Sequence, residues 1–474
     1  MAPIHLRTSI NTVTAAFLIF VILFLTLFCQ IANFPTIIPL LLVFLGLHLF
    51  YFGKASVKLF LNLGLLLTLI TFTANFLLTY TKIPPLYIPV ASVSMLTMLL
   101  YSDLQMTVLM AFMSATIIAL IAGGGLNLML TFFIGSLTAG YTVREARNRG
   151  KLIGAGVYIG LMQAGTVILL NPDLNFLLTK TFFLNYLRPL LVNGFVCAFV
   201  TMATLKIFEY LFGALTNFSL LELCDFDHPL LKRMRFEAPG TREHSQLVST
   251  LAEAAAESIG ANALLTRVGA YYHDIGKLVK PEYFTENQLY GYNKHDGMEP
   301  SMSRLVILNH VKEGIELARK YKLNQQIIDF IPQHHGTSLI HYFYQKALEE
   351  GGEEDISEAN FRYPGPKPQS RETAIVMLAD SSEGATRAIE DPTPPKIEEV
   401  VRKVINNKFI DGQLDECNLT LKEIEKIAVT FTRVLSAMYH TRVKYPEKKP
   451  SNGNSHQKPA EENPHGASGN NSNR

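Results

Sequence analysis

Apolar residues are not spread evenly along this chain; they gather into runs of bilayer-crossing length that end near residue 212. A helix needs about 20 mainly apolar residues to span a membrane. Runs of that kind lie near 11–31, 34–52, 59–80, 84–101, 104–122, 126–143, 152–170 and 183–212, separated by short polar connectors. The pattern predicts a transmembrane bundle of about eight spans over residues 1–212. The first run, Asn11 to Ile31, is longer than a secretory h-region and no small-residue cleavage site follows it, so it reads as a retained span.

Orientation follows from lysine and arginine, which stay on the cytoplasmic side of short loops. Placing the N-terminus inside puts Arg7, Lys54, Lys58, Arg144, Arg147, Arg149 and Lys151 in the cytoplasm, with chiefly Lys82 and Lys180 outside. Eight spans with both ends cytoplasmic are therefore expected. A seven-span alternative puts one basic cluster on the wrong side or exports the second half. Between Asn11 and Leu170 the spans hold almost no ionisable residue away from their ends, which disfavours an ion or substrate path. His48 reads as a hydrogen-bonded or interface-facing imidazole, and Gly123 to Gly125 as a tight turn, since no GK[ST] follows. A formal net charge of +2 gives no argument for a nucleic-acid polymer as partner. Cys29, Cys197, Cys224 and Cys417 are scattered and form neither a metal pair nor a disulfide framework.

Beyond the last run, residues 213–240 mix apolar and basic positions, suiting an amphipathic juxtamembrane linker helix or the first helix of a soluble domain. From 241 to 445 the three- and four-residue apolar spacing predicts an all-α domain. Residues 349–369, closing on Tyr363-Pro364-Gly365-Pro366-Lys367-Pro368, interrupt it as a loop near the mouth of a site. Residues 446–474 have no apolar periodicity and read as a disordered tail, whose His456 and His465 are too isolated to be ligands.

Six of the 13 histidines fall between His244 and His335, including the neighbouring pairs His273-Asp274 and His334-His335. With Asp380 in Met377-Leu378-Ala379-Asp380, the domain offers His244, His273, Asp274, His310, His334, His335 and Asp380. Each alone has a plain structural explanation. Together they would be costly to bury unpaired, and imidazoles with carboxylates but no thiolates suit iron, manganese, cobalt or zinc rather than calcium.

His273-Asp274-Ile275-Gly276-Lys277 resembles the signature of the HD metallophosphohydrolase superfamily. Ala238-Pro239-Gly240-Thr241 before His244, Asn309-His310-Val311-Lys312-Glu313-Gly314, Gln333-His334-His335-Gly336-Thr337, and Arg371-Glu372-Thr373-Ala374 before Asp380 extend the likeness. With the membrane half, they resemble the seven-transmembrane receptor HD-domain family. That resemblance implies a bacterial inner-membrane protein with a cytoplasmic phosphodiesterase that degrades cyclic di-AMP to linear pApA. It also implies two divalent metal ions, manganese or iron: His244, His273, Asp274 and Asp380 around one, His310, His334 and His335 around the other, with Asp274 bridging. Lys277, three positions beyond Asp274, is expected to share its helix face and steady a phosphate oxygen as a catalytic group. Where the family reads Asn-Pro-His-Asp, this chain has Asn293-Lys294-His295-Asp296. Lys294 and His295, with Thr337 and Arg387, are the expected substrate contacts. Family members usually carry a large extracytoplasmic domain between the first span and the other seven, whereas here only a few residues around Asn33 and Pro35 separate the first two runs.

Enzymes of the HD-GYP type carry Gly-Tyr-Pro downstream of the paired histidines, whereas Gly336-Thr337-Ser338-Leu339-Ile340 follows His334-His335 here, which makes cyclic di-GMP the poorer substrate. Another nucleotide, such as a nucleoside polyphosphate, stays open because the metal centre does not choose a base. So does a membrane sensor that binds nucleotide without turnover. A second copy of the chain or another membrane protein is the expected partner, alongside the lipid bilayer.

Overall fold

The computed structural model describes residues 45–46, 56–171, 173–288, 293–351 and 356–439. The runs near 11–31 and 34–52 lie outside the described residues, except for 45–46, and so does the expected tail. The other six apolar runs are helical. They are α1 (Val57–Phe76, carried on by a π-helical turn to Thr81), α2 (Ala91–Tyr101), α3 (Leu104–Ile121), α4 (Gly125–Val143), α5 (Arg149–Leu170) and α6 (Arg188–Phe212). Among the described residues five helical segments are long and apolar enough to cross a membrane, and the shorter Pro85–Tyr101 segment is apolar as well. This is a multi-pass membrane protein.

The bundle is tight because its polar groups are satisfied locally and its contacts use small residues. Thr68, Thr71 and Thr97 return their hydroxyl protons to the carbonyl four residues back. α5 and α6 approach through Gly156 and Gly194, where a Cβ on either would meet the other's backbone. Asp103 and Asn148 cap α3 and α5. Because successive helices alternate in direction, the turns at 102–103 and 144–148 lie at the same end of the bundle as Gly213. The second half begins at that end, where the Gly213 carbonyl accepts from Asn324 Nδ2 (3.1 Å).

The remainder is all-α; among the described residues the only β pairing is an isolated bridge between Leu339 and Arg362. The linker is two helices and not the one expected, α7 (Asn217–Leu223) and α8 (Pro229–Glu237). Pro229 supplies no N–H to continue a helix and instead starts a new one at its first turn. α9 (Pro239–Ile259), α10 (Ala263–Tyr272), α11 (Pro300–Lys320), α12 (His341–Gly351), α13 (Arg371–Arg387), α14 (Pro394–Ile410) and α15 (Leu421–Met438) follow. Helix α12 runs to Gly351, so the irregular stretch starts a little later than the sequence suggests.

Helix α9 buries Val248, Leu251, Ala252, Ala255 and Ala256, one stripe at helical spacing, in a core shared with α13, α14 and α15. Ala374 to Ala379 of α13 are all buried. That places α13 at the centre of the domain, with Asp380 at the end of its apolar run.

Candidate metal centre

Each candidate ligand is held by a different device. His244 stands on α9 and Asp380 on α13, helices packed together through the core. His273 and Asp274 were expected on a helix but lie in the turn where α10 ends, ahead of a 3-10 turn at Ile275–Val279. The turn directs two neighbouring side chains to one centre, which a regular helix spreads about 100° apart. Gly276 is needed at this point: a Cβ there would run into the His310 carbonyl, so glycine lets α11 approach closely and deliver His310. His334 and His335 occupy a turn after a one-turn helix at Phe330–Gln333.

The seven side chains converge. Asp274, with its side chain 2 % exposed, faces two groups of histidines with its two oxygens. Oδ2 lies 3.2 Å from His273 Nε2 and 3.7 Å from His244 Nε2, while Oδ1 lies 3.5 Å from His310 Nε2 and 3.6 Å from His334 Nε2. Asp380 Oδ1 is 3.0 Å from His244 Nε2, and its Oδ2 is 3.9 Å from His335 Nδ1. Three overlapping sets have donor atoms mutually close enough to share an ion: His244, His273 and Asp380; His273, Asp274 and His334; and His310, His334 and His335.

The far sides of three of the rings are already engaged. His273 Nδ1 faces the Ala270 carbonyl (2.7 Å), His334 Nδ1 that of Ile331 (2.6 Å), and His310 Nδ1 that of Ile307. A proton on each Nδ1 makes these hydrogen bonds and leaves the Nε2 lone pair pointing inward, the arrangement that orients metal-binding imidazoles. His273 Nε2, His310 Nε2, His334 Nε2 and Asp274 Oδ1 are buried with no hydrogen-bond partner. Four orphaned acceptors aimed at one place fit a cation and are expensive without one.

The electrostatics of Asp274, His310 and His335 agree. Burial would push the Asp274 carboxyl up, but Lys277 and His273 outweigh it and hold the group well below the carboxylate range. Burial lowers His310 to about 4 and, reinforced by His334 and His310, takes His335 well below the ordinary imidazole value. Both rings are therefore neutral ligand forms at neutral pH. For His244, burial acts downward, but hydrogen bonds to Asp380 and Glu383 overcome it and raise the group to about 9.

Other expected residues take different places. Lys277 Nζ sits 2.8 Å from both Asp274 Oδ2 and Glu286 Oε1, so its charge is spent on carboxylates and not presented to a ligand. Lys294 pairs with Glu282 (3.2 Å) and lies over the Tyr283 ring, and His295 turns Nε2 to the Tyr283 carbonyl (2.9 Å); these contacts hold their own loop. Thr337 is tied through its N–H to Gln413 Oε1 (2.9 Å), and Arg387 to Glu383 Oε1 (2.6 Å).

Sequence reasoning missed Glu383, Glu286 and Gln413. Glu383, buried and 2.7 Å from His244 Nδ1, was the most legible, three residues beyond Asp380 and so on the same face of α13. Tyr363, from the expected loop, stacks on His335 with ring centroids 4.1 Å apart.

Two sequence profiles match the chain in succession: the 7TM receptor with intracellular HD hydrolase over residues 34–216, and the HD domain over residues 241–385. The chain belongs to the seven-transmembrane receptor HD family. Among family relatives, the cyclic-di-AMP phosphodiesterase PgpH of Bacillus subtilis is 43% identical over 299 residues, covering 63% of this chain and 42% of that protein. PgpH of Listeria monocytogenes is 42% identical over 322 residues, covering 68% of this chain and 45% of that protein. This chain thus spans under half the length of these curated relatives. Crystal structures of the L. monocytogenes PgpH HD domain, alone and in complex with cyclic-di-AMP, are 49% identical and align with TM-scores of 0.43 and 0.44, covering 45% of this chain and 100% of theirs. An HD domain implies divalent-metal binding, and the clustered histidines and aspartates of this member fit that chemistry.

Proposed function

We propose that this chain is a membrane-anchored, dinuclear-metal phosphodiesterase that hydrolyses one phosphodiester bond of cyclic di-AMP, giving linear pApA. In this reading residues 1–212 form the bundle, 213–240 the linker, 241–445 the catalytic domain on the cytoplasmic face of a bacterial inner membrane, and 446–474 a tail. His244, His273, Asp274 and Asp380 hold one ion, His310, His334 and His335 the second, and Asp274 bridges; manganese or iron is the metal.

The observation that carries the reading is the division of Asp274, one oxygen toward each histidine group. Two divalent ions held by these residues would supply Lewis-acid activation of water and would neutralise charge on the attacked phosphate. The chain's own residues prepare that role. Lys277 keeps Asp274 ionised while Glu286 fixes Lys277, and Glu383 orients His244. Tyr363 walls His335 on the ring face. The names of the two PgpH relatives support adenine as the base.

The test is to load the full chain in detergent with manganese or iron(II), offer cyclic di-AMP and cyclic di-GMP, and follow linear products by chromatography. Formation of pApA with little turnover of cyclic di-GMP is the expected result. No turnover of either by protein that retains metal would overturn it.

A further inference from the structure

A cavity of about 370 Å³ lies where the bundle meets the HD domain, and none of the seven candidate metal ligands lines it. Its walls come from both halves: Lys58 and Asn62 of α1, Tyr101 and Ser102 at the end of α2, Gly213 beyond α6, and Asn262 and Gln326 of the HD domain. Among the described residues no carboxylate lines it.

Its chemistry is specific. Lys58 brings a cation that has no acidic partner among the described residues. Asn62 is 2 % exposed; its Nδ2 donates to the Tyr101 hydroxyl (3.0 Å), but its Oδ1 is buried and unpartnered. Asn262 uses Oδ1 to cap α10 through the Leu265 N–H (3.1 Å), leaving its Nδ2 as a donor beside the positive end of that helix. The C-terminal ends of α2 and α6, at Tyr101 and Phe212, line the same space. An occupant must therefore carry negative charge for Lys58 and Asn262, and a hydrogen-bond donor for Asn62 Oδ1 and the helix ends. Inorganic phosphate, still protonated at neutral pH, offers both but is small for a cavity of this volume. A phosphate ester bearing hydroxyl groups satisfies both, and the size suits a headgroup.

We propose that this junction cavity binds a phosphoglycerol group, the headgroup of an anionic phospholipid at the bundle's HD-facing end. The same chemistry could come from soluble glycerol phosphate, and the test separates the two sources. The ligand would touch the capping residue of α10, whose other end delivers His273 and Asp274, so its occupancy bears on the metal centre.

The experiment uses the metal-loaded full chain and reads binding, so it does not depend on the phosphodiesterase reading. The protein is exchanged into nanodiscs of phosphatidylcholine in which about a third of the lipid is phosphatidylglycerol, then released into native mass spectrometry to detect retained lipid. In parallel, glycerol 1-phosphate is titrated calorimetrically in detergent. Variants are Lys58→Gln, Lys58→Arg as rescue, and Lys151→Gln as control for general surface charge; Lys151 is a basic residue at the same end but outside the cavity. Retention of phosphatidylglycerol that falls roughly fivefold in Lys58→Gln, recovers in Lys58→Arg and is unchanged in Lys151→Gln supports a lipid. Binding of soluble glycerol 1-phosphate with the same dependence supports the site and assigns the soluble source. Equal retention in wild type and Lys58→Gln with no calorimetric binding, or equal losses in Lys58→Gln and Lys151→Gln, would overturn the proposal.

Discussion

At the level of single residues, Asp274 and Glu383 divide the work of the centre differently. Asp274 reaches toward four histidines, His244 and His273 with one oxygen and His310 and His334 with the other, whereas Asp380 lies near His244, His273 and His335. Asp274→Ala should abolish hydrolysis of cyclic di-AMP and lower bound metal in both positions, read by elemental analysis of purified protein; full activity in that variant would refute the bridging assignment. Glu383 touches no shared centre and acts through His244 Nδ1. Groups of this kind are worth roughly 10- to 100-fold in metal affinity or activity, so Glu383→Gln should lose activity on that scale and recover much of it when metal is supplied in excess. A loss that excess metal leaves unchanged would assign Glu383 another role. The contrast also explains what the sequence could reveal. Histidine beside aspartate is rare enough to stand out. A glutamate on a helix of a soluble domain looks like solvated surface until its burial is known, and Glu383 is 1 % exposed.

The elements show where sequence patterning reached and where it stopped. Apolar runs of bilayer length located six helices closely, because in lipid a helix satisfies its backbone internally and length alone marks it. The stripe of Val248 to Ala256 likewise located a core helix. Turns were harder: that His273 and Asp274 sit past the end of α10 depends on how α11 packs on Gly276, a tertiary contact no local pattern carries. The loop after the paired histidines is a similar case. Gln413, fully buried just beyond α14, accepts from the Thr337 N–H (2.9 Å) and donates to the Thr337 hydroxyl (2.9 Å). Arg362 binds the Thr337 carbonyl (2.9 Å) and grips Asp411 with two bonds. This clasp fixes Gly336 to Ser338 and, through them, the direction of His335. Gln413→Ala leaves the half-buried Thr337 N–H unpaired, which costs about 1 kcal/mol or somewhat more. Thermal denaturation should report that loss, and elemental analysis should show metal lost from the His310, His334 and His335 side first, moving the stoichiometry from two ions per chain toward one. Loss of both ions together would mean that the clasp supports the whole domain and not that side.

Across the whole molecule, hydrogen bonds connect the last span to the metal turn. Glu209, buried one turn before the end of α6, accepts from the hydroxyls of Thr216 and Ser219 (2.7 Å for Ser219), binding α7 to the span. Lys206 adds an ion pair to Glu222 of α7 (2.6 Å). At the far end of α7, the Leu223 carbonyl accepts from the hydroxyl of Tyr272 (2.9 Å), which is fully buried and directly precedes His273. These contacts link the span end to the residue beside His273 through one short helix. Proximity along such a route is not coupling, and a double-mutant cycle supplies the test. Tyr272→Phe deletes a single hydrogen bond worth about 1 kcal/mol and keeps the ring against His228, while Glu209→Gln weakens the span end. If α7 acts as one rigid connector, either change should slow turnover with two ions still bound, and the pair should cost less than the sum by more than about 0.5 kcal/mol, since distant independent sites add within that margin. Additive effects on turnover would show that the two bonds act separately, and that any signal from the bundle enters the HD domain elsewhere, with the Asn324 contact to Gly213 as the next connection to cut.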